Sequence, residues 1–432
     1  MANSPEKNKG IKTVLANPDF RRLWIGQTIS QVGDGLTNLA LLIVINRLTG
    51  STAALATMMV VIALPQLVFG LISGVFVDRW NRKQIMVISD IVRGLLVLGF
   101  ILVRRPGDVW IFYLLGFLQA AVGTFFGPAK SAMIPTLVEP EALLSANALS
   151  QTTQVVTGVV GSALAGVLVG VLGAAWPAFT LDALSFFVSA VFISRITVSG
   201  QVAVKAGPAQ AGGVRQTVAQ LVEGLRYLAG RRILVGTMMT FAVTMLGMGA
   251  VNVLIIPFLV NLLRVPTTAL GVIDAAQGIG MVLGTGLVAA LAARFKAPRI
   301  ITWGIILIGL FVALFGASQA TWMVLVSLFF IGLFLTPVQA AASTLFQTMI
   351  PNDKRGRTGA AMNTVITLAS VISMGLSGVL GDALGVRQVF YLSGSVIVAA
   401  GLLAAVLMRT PAGANEDPGF AITGEKEGVA AP

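Results

Sequence analysis

The chain has 432 residues, 56% of them hydrophobic and only 11% charged, with a mean hydropathy of +0.90. A soluble globular protein carries about 25% charged residues, so this composition excludes an ordinary cytosolic enzyme. Cysteine and histidine are both absent, which removes disulfides, thiolate metal sites and the side chain that titrates near neutrality. Proton chemistry in this chain falls to carboxylates.

At about 20 residues per crossing plus a loop, the length suits twelve membrane spans. Twelve apolar stretches can be marked, at roughly 22–46, 53–77, 84–103, 109–129, 147–173, 176–194, 233–263, 269–293, 300–317, 321–348, 359–384 and 388–408. Residues 142–181 and 300–352 carry no charge, and each run is long enough for two spans. The first is broken at Gly173-Ala-Ala-Trp-Pro177, the second near Ser318 and Gln319. Of the 29 Lys and Arg, 23 fall on the side of the N-terminus. Five (Arg47, Arg104, Arg105, Arg264 and Arg387) fall on the other, and Arg93 alone lies inside a span. This alternation predicts cytoplasmic termini and assigns the net charge of +12 to membrane topology, with no nucleic-acid partner expected.

Residues 1–21 form a hydrophilic cytoplasmic segment with no cleavable signal expected. In the first span Gln27, Gln31, Asp34 and Asn38 follow i, i+4, i+7, i+11, a polar stripe that a lipid-facing helix does not carry. Asp34 lies 12 residues past Arg22, about 18 Å into a core of ~30 Å. The stripe predicts a cavity wall with Asp34 as proton carrier or cation contact, or else a structural hydrogen bond between helices. Burial raises a carboxylate's pKa and a cationic substrate lowers it, so proton and substrate can compete for one such group. Asp90 and Arg93, at i, i+3 in the third span, are spaced to form an intramembrane ion pair. Asp182 stands beside Ser185 in the sixth span, serving either transport or helix packing.

The stretch 199–213, rich in Gly, Ala, Pro and Gln, reads as a linker. After it Val214, Val218, Leu221, Leu225 and Leu228 make one apolar stripe, predicting an interfacial amphipathic helix or a solvated connector. Asn252 with Met245 and Met248 shares a face of the seventh span, and Asn363 with Thr367, Ser370 and Met374 one of the eleventh. Met-rich walls suit varied apolar ligands, but core packing is the better account of most of these residues, leaving Asn252 and Asn363 as the candidates. Asp274 and Gln277 share a face of the eighth span, with Asp274 about 9 Å from the outer end. Asp382 lies near the outer end of the eleventh span and reads as interfacial. The polar tail 409–432 is expected to be disordered. Met133-Ile134-Pro135 recurs as Met349-Ile350-Pro351, and Asn147 meets Asn363 at the same offset of 216. The offset suggests two parallel repeats: an all-α membrane protein with six-helix bundles at 22–198 and 233–408, joined by a linker with its helix at 199–232.

Between the second and third spans stands Gly74-Val-Phe-Val-Asp78-Arg79-Trp-Asn-Arg82-Lys83. It resembles the G-x-x-x-D-R-x-x-R-K loop of the major facilitator superfamily. Arg22-Leu-Trp24-Ile-Gly26-Gln27, Ser30-Gln31-Val-Gly33-Asp34, Leu48-Thr-Gly-Ser51, Gly127-Pro128-Ala129 and Asp182-Ala-Leu-Ser185-Phe186 narrow the likeness. Together these motifs resemble the third drug:proton antiporter family, which includes macrolide-efflux and enterobactin-exporter-like proteins. The resemblance runs over residues 15–408, by motif in the first half and mainly by hydropathy in the second. In one departure, Ser162 stands in the Gly-rich fifth span where many antiporters have proline.

The resemblance implies proton-coupled export of an amphipathic small molecule across a bacterial inner membrane, by a monomer that uses the proton gradient and no cofactor or metal. It also implies that Asp78 caps the cytoplasmic start of the eleventh span when that side is closed, with Gly74, Arg79 and Arg82 in the same latch. A lysolipid flippase on this fold is the alternative, and a transport-inactive scaffold or sensor the reading from another class. Enzymatic function finds no Walker A pattern, metal cluster or hydrolase elbow in the sequence.

Overall fold

The computed structural model describes residues 10–77, 79–198, 200, 214–351 and 354–408, apart from the side chains at 71, 72, 75 and 214–218. Asp78, most of the 199–213 linker and the 409–432 tail lie outside the described residues. Among the described residues, twelve helices are long and apolar enough to cross a membrane. The first six are α1 (Pro18–Thr49), α2 (Thr52–Val77), α3 (Arg82–Gly99), α4 (Val109–Leu137), α5 (Leu143–Leu172) and α6 (Trp176–Ser194). The last six are α7 (Arg232–Ile256), α8 (Thr267–Arg294), α9 (Ala297–Ala317), α10 (Thr321–Met349), α11 (Arg355–Leu384) and α12 (Val386–Leu407). Helices are the form this sequence must take in lipid, because each one bonds its own backbone polar groups internally.

Local chemistry sets the ends. The Asn17 side chain accepts from the N–H groups of Asp19 and Phe20 at 2.9 and 3.1 Å, with Pro18 in the first turn of α1. That helix stops at Gly50, whose φ of 61° is the left-handed conformation glycine adopts without penalty. Asn81 caps α3 through the N–H of Gln84. Beyond α7 the chain continues as a π-helical turn, Pro257–Leu262, before α8 begins.

Helices α1–α6 pack mainly on one another, as α1 on α5 and α6 and α3 on α4 and α6. Helices α7–α12 do the same, as α7 on α11 and α12 and α8 on α10. Each half has a three-phenylalanine plug at the end remote from the N-terminus. Phe100, Phe112 and Phe179 meet at centroid distances of 5.4–6.2 Å, and Phe258, Phe315 and Phe390 at 4.8–5.1 Å. Such pairs add about 0.5–1.5 kcal/mol each beyond their buried area, so each half holds its shape there.

The largest contacts between the halves are α5 with α8 and α2 with α11. At the first, Gly271 is indispensable, since a β-carbon there would collide with the backbone of Ala163. The cross-half hydrogen bonds gather toward the remote end, called here the far end. Asn46 and Asn261 exchange amide bonds at 3.0 and 3.1 Å, and Arg47 donates to Thr267 Oγ1 at 3.3 Å. At the opposite, basic end the described bonds stay within one half. Arg22 reaches the Arg195 carbonyl at 2.8 Å, and Arg231 the Met349 carbonyl at 3.0 Å. The far end is closed, and the basic end is where the halves part.

The stripe after the linker forms the helix Val214–Ala229. Leu221, Leu225 and Leu228 do not wait for a membrane surface: they pack on Leu234, Ile350 and Ala361 of the second half. Glu223 pairs with Arg357 at 2.8 Å, so this helix is tied to the start of α11.

Candidate functional site

The ionisable residues of α1, α3 and α6 converge inside the first half. Asp90 and Arg93 form an ion pair within α3, with Asp90 fully buried and Arg93 9% exposed. The Arg93 guanidinium lies over the rings of Phe186 and Phe126, at 4.3 and 4.7 Å, and the two aromatic faces take the place of water around a cation. Asp182 on α6 is also fully buried. Its Oδ1 accepts from Ser185 Oγ at 3.3 Å. Asp34 on α1 is half-buried and within electrostatic reach of Arg93, Asp90 and Asp182.

Glycine brings these helices together. A β-carbon at Gly33 would lie 3.0 Å from the Asp182 Cα and closer still to its carboxylate and to Ser185 Oγ. The bare backbone at 33 therefore lets α1 seat against α6 and brings its neighbour Asp34 beside the buried carboxylate. Ser189, one turn further along α6, faces Asp90 and accepts from Gln27 Nε2 at 3.4 Å. On the other flank of α1, Thr157 of α5 donates to Gln31 Oε1 at 3.1 Å. The stripe seen in the sequence thus spreads over two neighbours, Gln27 toward α6 and Gln31 toward α5, with Asp34 between them and Asn38 exposed.

The cluster holds three carboxylates and one guanidinium. Thr37 and Ser189 face the Asp182 and Asp90 carboxylates, so the cluster is a polar network at a depth where an ordinary core is apolar.

The second-half candidates lie elsewhere. Asp274 is exposed on α8 and accepts a 2.5 Å bond from Ser162 Oγ of α5, so the serine in the proline position bridges the two halves. Gln277 is half-buried one turn on, and its carbonyl packs against Gly332 of α10. Asn252 and Asn363 are both exposed, apart from the carboxylates. In the last turn of α2 Gly74 is half-buried with open space around it, and Arg79 in the loop that follows is exposed. Arg82 and Lys83 do not reach α11 in this conformation. They bond first-half carbonyls, Ala132 at 3.1 Å and Ile196 at 2.7 Å, because with the basic end parted those are the acceptors in reach.

A groove of about 580 Å³ opens between α2, α3 and α4 near the basic end, lined by Phe69, Phe76, Trp80, Ile88 and Phe125. Sequence reasoning gave no sign of it, since its residues come from three helices. Ser189 and Thr157 were also missed; small residues every third or fourth place on α6 were the available signal.

Twelve spans in two packed halves, joined at one end and holding a buried charge cluster, define a multi-pass membrane transporter rather than an enzyme. The chain matches the transmembrane secretion effector family over residues 12–421 and belongs to it, within the major facilitator superfamily. It is 28% identical over 405 residues to the uncharacterized MFS-type transporter YfiS of Bacillus subtilis, covering 91% of this chain and 92% of that protein. Macrolide efflux protein A of Streptococcus pyogenes is 26% identical over 389 residues, covering 88% of this chain and 93% of that one. Among solved structures the nucleoside transporter NupG aligns with a TM-score of 0.73 at 11% identity, covering 91% and 99% of the two chains, a likeness of fold alone.

Proposed function

We propose that this chain exports amphipathic small molecules in exchange for protons, by alternating access, with the α1/α3/α6 cluster as the proton site. The observation that carries the reading is the charge imbalance of that cluster. Three ionised carboxylates around one guanidinium would leave two uncompensated charges at membrane depth, and such charges are too costly to bury bare. Holding protons on the cluster relieves the cost. Asp34, the half-buried member, is the one through which protons enter and leave. Asp182 shares them from the sealed interior, and Arg93 keeps Asp90 paired throughout.

The basic end is the cytoplasmic one by the positive-inside rule, so the conformation described here opens inward. The efflux relatives support export as the direction, and macrolides are a substrate class to try first. The aromatic groove favours a second reading, transport of a lipid-like amphiphile taken from the inner leaflet. Exposed Trp80 and Phe76 stand at its mouth, where aromatic side chains suit the membrane interface.

The test uses purified protein in liposomes, following a lipophilic cation, a neutral macrolide and a lysolipid with and without an imposed pH gradient. Gradient-driven movement is expected in the wild type. It should vanish in Asp34→Asn and in Asp182→Asn while substrate binding persists. Gradient-driven movement unchanged in both variants would remove the cluster from the mechanism. Movement of the lysolipid alone would favour the second reading.

A further inference from the structure

The far end holds a contact that transport by rigid halves must break. Asp382, near the end of α11, accepts from the backbone N–H of Thr52 at 3.2 Å and from Thr52 Oγ1 at 2.7 Å. Ser51 Oγ donates to its other oxygen at 3.4 Å, and the N–H of Ala53 also faces the carboxylate. Thr52 Oγ1 is close to the Gly378 carbonyl as well, at 2.7 Å. These donors form the first turn of α2, so a carboxylate of the second half caps a helix of the first. Capping satisfies backbone donors that the helix cannot, and a negative charge there favours the helix dipole.

We infer that Asp382 is the residue that latches the far end shut, using the N-terminus of α2 as its keeper. The cap exists only while the halves touch. When they separate there, α2 keeps the internal bond from the Ala54 N–H to Ser51 Oγ at 3.3 Å and loses Asp382 to water. The latch therefore biases the equilibrium without locking it, since the helix start remains partly capped when open. The neighbouring bonds, Asn46 with Asn261 and Ser162 with Asp274, close the same end at other helix pairs and fix where Asp382 lands.

The inference rests on alternating access but not on proton coupling. The absence of cysteine allows clean labelling. Leu172→Cys on α5 and Leu384→Cys on α11, both exposed at the far end, would carry spin labels in the full-length protein. Distances are then measured by pulsed electron resonance, with and without a pH gradient. Loss of a cap shifts an equilibrium by about two- to thirty-fold. Asp382→Ala, which removes the acceptor, should raise the long-distance, far-end-open fraction by that ratio. Thr52→Val should do the same, and the double variant should add little to either, as coupled partners require. A long-distance fraction present in the wild type and unmoved by both substitutions would overturn the latch alone. The absence of any long-distance fraction in every variant and condition would overturn the latch and alternating access together.

Discussion

The two halves share a helical plan and differ in what they bury. Among the described residues, the buried charged and amide side chains (Asp19, Gln27, Asn46, Asp90, Arg93 and Asp182) all belong to the first half. The second half buries only hydroxyls, such as Thr237, Thr244, Ser327 and Ser377. Those hydroxyls bond the backbone of their own helix, one turn back, at 2.8 Å in each case. First-half charges and amides connect helices, whereas the second-half hydroxyls named here stay within theirs; Ser373, which donates to the Leu246 carbonyl of α7, is one that crosses to a neighbour. The difference teaches that one half is built around a buried charge network and the other around a neutral interior. A charge network is costly unless every member stays partnered, so concentrating it in one half leaves the other free of that constraint.

The contrast can be broken most forcefully at Arg93. Arg93→Leu leaves its carboxylates without a cation and should destabilise the protein by about 3–5 kcal/mol. Thermal unfolding of the purified protein reads this, and Asp90→Asn in the same chain should restore part of the loss. An unchanged midpoint would mean that the cluster is not the electrostatic unit described here. Next comes Gly33→Val, which forces α1 away from α6; overpacking of this kind costs about 1–3 kcal/mol and should also abolish gradient-driven transport. The smallest effect is expected in the second half. Thr244→Val removes only a bond inside α7, and the unfolding midpoint should move by less than that of a typical buried hydrogen bond, about 1 kcal/mol. A larger loss there would erase the distinction between the halves.

The spans were legible because composition leaves no other way to satisfy so apolar a backbone, and the alternation of Arg and Lys marks the loops. The Asp90–Arg93 pair was legible from spacing, as one helix holds both. The convergence of Asp34 with Asp182 was not. Those residues lie 148 positions apart, and what unites them is the missing side chain at Gly33, which has meaning only once α6 is known to lie opposite. Asp382 was read as interfacial because its depth was visible and its partner was not. Likewise, the leucines after the linker show their period in sequence, but whether lipid or protein covers them depends on where α11 begins.

The π-helical turn at Pro257–Leu262 has a consequence of its own. It accommodates an extra residue where an ordinary helix would have none, as a single-residue insertion into an ancestral α7 would leave. Were the segment to run as regular α-helix with all its residues kept, everything beyond the turn would be rotated by about 100°. Asn261 would turn away from Asn46, and the reciprocal amide bond at the far end would be lost. The wide turn therefore sets the register in which the two halves meet.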